Sequence, residues 1–116
     1  MRMLTHERLD VYRLSVELLG EILLIIGSLP PGNHDVASQL RRAAMSIPLN
    51  IAEGAGKTGA QDKRRYYSIA RGSALETGAI FDLLIACRLK DREGLKRPRR
   101  YLERIAAMLG AMTTRV

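Results

Sequence analysis

The sequence is poor in aromatic residues, with one Phe, four Tyr and no Trp in 116 residues. It has a single cysteine, Cys87, which excludes an internal disulfide and a cysteine-based metal cluster. Its two histidines, His6 and His34, each lack a second ligand at metal-binding spacing. No apolar run matches the roughly 20 residues that span a bilayer. The greasiest stretch, Leu18 to Leu29, is shorter than that and contains Glu21. The opening, MRMLTHERLD, is charged and has no apolar signal core. These absences predict a cytoplasmic protein in a reducing compartment, with no metal, no cofactor and no membrane association.

What the chain does have is aliphatic mass: 47% of it is hydrophobic, chiefly Leu, Ile, Ala and Met. That composition suits helix packing better than sheet packing. The length fits one domain able to bury a core. Four helical segments are predicted, over about 6–28, 35–53, 60–90 and 98–113. Together they make an all-α, antiparallel up-and-down four-helix bundle. In the first, Thr5 is expected to cap. Two apolar stripes run through Tyr12, Val16, Leu19, Leu23 and Ile26 and through Val11, Leu14, Leu18, Ile22 and Ile25. A lone bundle uses one such stripe, so the second predicts contacts between copies and a homo-oligomer; a centrally buried helix is the plainer alternative.

Pro30, Pro31 and Gly32 break the chain. The second helix buries Val36, Leu40, Ala43 or Ala44, Ile47 and Ile51, and Pro48 should kink it. The third presents Tyr66, Ala70, Ser73, Thr77, Ile80, Leu84 and Cys87 along one stripe, so Cys87 reads as a buried structural thiol. Gly94 marks the next turn, and Pro98 suits the first turn of the fourth helix. Tyr101, Ile105, Met108 and Met112 form its inner stripe.

Charge is lopsided. Residues 1–56 carry five Lys/Arg against six Asp/Glu, whereas residues 57–116 carry fourteen against six, within a net charge of +7. Lys57, Lys63, Arg64 and Arg65 cluster before Tyr66. A second group, including Arg97, Arg99 and Arg100, surrounds the predicted turn after the third helix. Clustered Lys and Arg neutralise phosphates and release counterions, so RNA or DNA is a candidate partner; a solvated basic face is the bland reading.

Catalytic chemistry is hard to assemble. Gly56, Lys57 and Thr58 match the end of a phosphate-binding loop, but its first glycine would fall at Ile51 and no strand precedes it. Ser46 and Ser73 lack a partner base. Asn50, Glu53 and Glu76 fall where burial is expected, with Arg41, Arg42 and Arg71 as candidate partners. Helix register is favoured over active-site acid chemistry for these residues, because no base, metal or nucleophile accompanies them.

The segments SQLRRAAMSIPLNIAEGAGK, at Ser38 to Lys57, and YYSIARGSALE, at Tyr66 to Glu76, carry a resemblance that extends from Leu9 over nearly the whole chain. They closely resemble the bacterial four-helix bundle family that includes proteins encoded in 23S ribosomal RNA intervening sequences, also labelled S23 ribosomal proteins. The accessory variability determinant of diversity-generating retroelements is related. Arg41, Arg42, Ser46, Pro48, Asn50, Glu53, Gly54, Arg71, Gly72, Ser73 and Glu76 match recurrent positions, while Lys63 departs from a commonly aromatic or apolar one. The resemblance implies an antiparallel four-helix protomer, a ring-like homopentamer and no enzymatic activity. For the retroelement members it implies binding of nucleic acid and of a reverse transcriptase. The expected function is thus a non-enzymatic homo-oligomer binding nucleic acid, with an oligomeric protein-interaction scaffold as the alternative.

Overall fold

The structure, a computed structural model, describes residues 3–114; Met1 and Arg2, at the charged amino terminus, and Arg115 and Val116 lie outside the described residues. It consists of α1 (Asp10–Gly27), α2 (His34–Ala55), α3 (Ala60–Ala86) and α4 (Arg92–Thr114), preceded by a short 3-10 turn at Thr5–Arg8. No strand occurs among the described residues. Each helix packs on the next and α4 closes against α1. Cross-helix pairs run in opposite directions: Gln39 with Glu76 and Ser46 with Ser73 join α2 to α3, and Asp82 with Arg99 joins α3 to α4. The helices are therefore antiparallel neighbours around one core, and no described helix is long and apolar enough to cross a membrane.

The core holds Leu18, Ile22, Leu40, Ile47, Ile51, Phe81, Leu84, Ile105 and Leu109, each nearly or fully removed from solvent. On α1 one predicted stripe is buried through Val11, Leu18, Ile22 and Ile25. The other is split: Tyr12, Leu19 and Ile26 pack at its edge, while Val16 and Leu23 remain 44% and 45% exposed. On α2, Leu40, Ala43, Ala44, Ile47 and Ile51 are buried as expected, Val36 is only half-buried at the edge of the core, and the helix runs unbroken through Pro48, itself buried.

Three helix ends differ from expectation. α1 starts at Asp10 because Leu9 is extended, at φ −85° and ψ 126°, and separates it from the 3-10 turn; Thr5 caps no helix. α3 stops at Ala86, four residues early. Arg88 adopts a left-handed φ of 59° there. Its N–H bonds Ile85 O at 3.0 Å, and the Leu89 N–H bonds Leu84 O at 2.9 Å. These are the paired return bonds of a Schellman stop, with arginine in the place glycine normally takes. α4 in turn begins at Arg92, six residues early, because the Asp91 carboxylate accepts the Gly94 N–H at 2.8 Å and caps the first turn. Pro98 consequently lies inside α4, buried rather than at its start.

The early start also rotates the inner face. Leu95, Pro98, Leu102, Ile105 and Leu109 are buried, and Tyr101, Met108 and Met112 move to its flank. On α3, Ala70, Thr77, Ile80 and Leu84 are buried as expected, Tyr67, Ala74 and Phe81 join them, and Tyr66 and Ser73 are half-buried. Cys87, expected in the core, is exposed, since α3 has ended before it.

Candidate nucleic-acid interface

The α2–α3 junction is built around an absent side chain. A Cβ on Gly54 would lie 2.8 Å from Tyr67 Cε1 and 3.1 Å from Tyr66 Cβ. Glycine therefore lets α3 cross close to the end of α2. The crossing buries Tyr67, and this desolvation raises its hydroxyl pKa above the ordinary value. Lys63 fills the space below. Its Nζ donates to Ala55 O at 3.0 Å and Gly54 O at 3.3 Å, satisfying carbonyls at the carboxyl end of α2 where a cation is favoured. The residue that departs from the family pattern thus works as a helix cap. Lys57 pairs with Glu53 at 3.3 Å and lies 5.3 Å from the Tyr66 ring centroid, while the Arg65 guanidinium lies 5.6 Å from the same ring. Arg64 and Arg65 have no carboxylate partner among the described residues.

The second basic group is also partly neutralised. Arg97 Nε sits 2.5 Å from Glu21 Oε1, joining α4 to α1. The Tyr101 hydroxyl and the Glu21 charge hold Arg97 above the usual arginine pKa. Arg99 lies 3.7 Å from both Asp82 and Glu103. Arg100 and Arg104, one turn apart on α4, have no carboxylate partner among the described residues. With Arg97 and Tyr101 they line an open cleft of about 330 Å³.

The two groups do not merge. Asp82, which marks the level of Arg99, is seventeen residues beyond Arg65 along α3, a rise of about 25 Å. Of the expected phosphate contacts, Arg64, Arg65 and Arg100 remain free, whereas Lys57, Lys63, Arg97 and Arg99 are engaged within the protein. Arg104 belongs with the free set. Its spacing of four from Arg100 and seven from Arg97 is the signal that places all three on one helical face.

The polar residues expected to be buried are at the surface. Glu53 and Glu76 are exposed and Asn50 is half-buried. The buried stripes of α2 and α3 leave them on the outer rim of the seam. Glu76 accepts from Gln39 Nε2 at 2.7 Å, and Arg42 donates to Gln39 Oε1 at 3.1 Å, so Arg42 reaches Glu76 through a glutamine. Asn50 donates to Ser46 O and Oγ, and the Ser73 hydroxyl donates to Ser46 Oγ at 2.7 Å. This ladder across the seam sets the register of α2 against α3. Arg41 and Arg71 are exposed and make no ion pair among the described residues. Arg71 instead lies over α4, its Nε 3.5 Å from where a Cβ on Gly110 would be. Among the described residues no three His, Cys, Asp or Glu side chains group to hold a metal ion.

Comparison with known proteins bears on the whole chain. A family model for the 23S rRNA-intervening sequence protein matches residues 7–111. The chain also superimposes on the 1.70 Å crystal structure of a protein of unknown function from the S23 ribosomal protein family of Bacteroides thetaiotaomicron VPI-5482. The TM-score is 0.83 at 23% identity, covering 90% of this chain and 99% of the other. At that identity the likeness is one of fold. No protein of curated function matches the chain.

Proposed function

The chain belongs to the 23S rRNA-intervening sequence protein family, and from that membership and its surface we propose a non-enzymatic, cytoplasmic homo-oligomer that binds nucleic-acid backbone. The observation that carries the binding is the set of arginines left without carboxylates. That set is spread over the surface: it includes Arg41 and Arg42 on α2, Arg64, Arg65 and Arg71 on α3, and Arg100 and Arg104 on α4. Free guanidiniums on a chain of net charge +7 attract phosphate without reading sequence. Binding of labelled RNA and DNA oligomers across a salt series tests this. We expect affinity to fall steeply as salt rises, and absence of binding at low salt removes the nucleic-acid role and leaves the scaffold reading.

Oligomerisation is supported by apolar surface. Leu24 is 72% exposed and Leu49 63% exposed, with Val16, Leu23, Met45 and Ile69 also open. The chain exposes 7400 Å², where a compact monomer of 12.9 kDa exposes about 6,300 Å². A stable interface covers about 800 Å² on each partner, which the excess matches in scale. The pentamer implied by the family resemblance is the expected size. The non-enzymatic reading rests on the hydroxyls: Ser46 Oγ accepts from both Asn50 and Ser73, an arrangement that orders a seam and activates no nucleophile.

A further inference from the structure

Resting on the nucleic-acid reading, we propose that the cleft formed by Arg97, Arg100, Tyr101 and Arg104 holds one nucleotide unit of unpaired nucleic acid, its phosphate on Arg100 and Arg104 and its base against Tyr101. The four side chains recur at spacings of three and four and so share one face of α4. Arg97 is fixed by Glu21 and carries its guanidinium 6.0 Å from the Tyr101 ring centroid. It acts as a positioning residue that packs over the ring, and the base meets the part of the ring that stays open. Arg100 and Arg104 supply charge that no described carboxylate offsets. Tyr101 is half-buried, which holds its ring while leaving part of it open to the cleft.

The other basic group is more crowded, with two cations at its ring where Tyr101 has one. There the Tyr66 ring is flanked by Lys57 and Arg65, and Lys57 is tied to Glu53. The cleft, about 330 Å³ and open to solvent, gives room for one nucleotide lying along the helix face. A duplex keeps the faces of its bases stacked inside, exposing only their edges in the grooves, so the ring at position 101 distinguishes single strands from duplexes.

The test measures binding of a labelled 12-nucleotide single strand and of a duplex of equal length, with free mononucleotide and inorganic phosphate as competitors. Tyr101→Leu is expected to weaken single-strand binding at least fivefold, the lower range for loss of one base–aromatic stack, while duplex binding changes less than twofold. The double variant Arg100→Gln/Arg104→Gln should weaken both and flatten their salt dependence. Displacement by mononucleotide at concentrations comparable to the strand identifies free nucleotides as a source of the ligand; displacement by strand alone identifies the polymer; inorganic phosphate displacing either equally well overturns the role of the base. Independently of Tyr101→Leu folding, single strand should quench tyrosine fluorescence in the native protein and not in Tyr101→Phe. Equal losses for strand and duplex, no loss for either, or undiminished quenching in Tyr101→Phe overturns the assignment while leaving backbone binding intact. Failure of the native protein to bind either probe overturns both.

Discussion

An alanine at position 54 would bring its Cβ within 2.8 Å of the Tyr67 ring and 3.1 Å of Tyr66 Cβ. Neither neighbour yields easily, because Tyr67 is buried and Tyr66 is anchored by α3 itself. Gly54→Ala should therefore destabilise the fold by about 1–3 kcal/mol, the usual range for overpacking, as read from the midpoint of a denaturant melt. Arg88 presents the opposite case. A non-glycine residue in the left-handed region stores strain, and its side chain is exposed. Arg88→Gly should stabilise by about 0.5–1 kcal/mol once the greater freedom of glycine in the unfolded chain is set against the relief. A lower melting temperature would contradict that account of the turn. Gly54 matches a recurrent position of the resemblance, but its service to Tyr67 is invisible in sequence, because the clash it avoids lies on another helix. Lys63 was hidden for the same reason: its partners are backbone carbonyls of α2, which have no signature in residue type.

At the level of helices, legibility followed the strength of local periodicity. Leu40, Ala43, Ile47 and Ile51 recur so regularly that the face of α2 follows from their spacing, even with Pro48 among them. α4 was less legible because two start signals compete. Pro98 is acceptable in a first turn, yet Asp91 followed by Gly94 makes a side-chain cap six residues earlier, and the structure uses that one. Moving the start carried the inner face from Tyr101 to Leu102, which is how Tyr101 came to line a surface cleft. Asp91→Ala should cost about 1 kcal/mol through loss of the cap, with lower helicity by circular dichroism during thermal unfolding. A variant as stable as the native chain would show that the first turn does not depend on Asp91. Cys87 was misplaced by the same kind of error, since a stripe read past the true end of α3 assigns burial to a residue beyond the helix.

For the whole molecule, the apolar residues on the outside of α1, α2 and α3 set the expectation. Light scattering at micromolar concentration should report a mass well above 12.9 kDa, and Leu49→Glu or Leu24→Glu should lower it by placing a charge where a neighbouring copy would cover the side chain. A native monomer would leave Leu24 and Leu49 as ordinary exposed residues. The two basic groups, by contrast, were legible as clusters in sequence, but their separation and internal neutralisation were not. Glu21 and Asp82 lie on other helices, far in sequence from the Arg97 and Arg99 they neutralise, whereas Glu53 stands only four residues before Lys57.

The distance between those groups acts as a ruler. A double-stranded rod advances about 3.4 Å per base pair, so spanning the basic surface from Arg65 to the level of Arg99, about 25 Å along α3, takes about seven base pairs, and a shorter fragment engages only part of it. Up to that length each further contact is intramolecular, and avidity should climb across a ladder of fragment sizes.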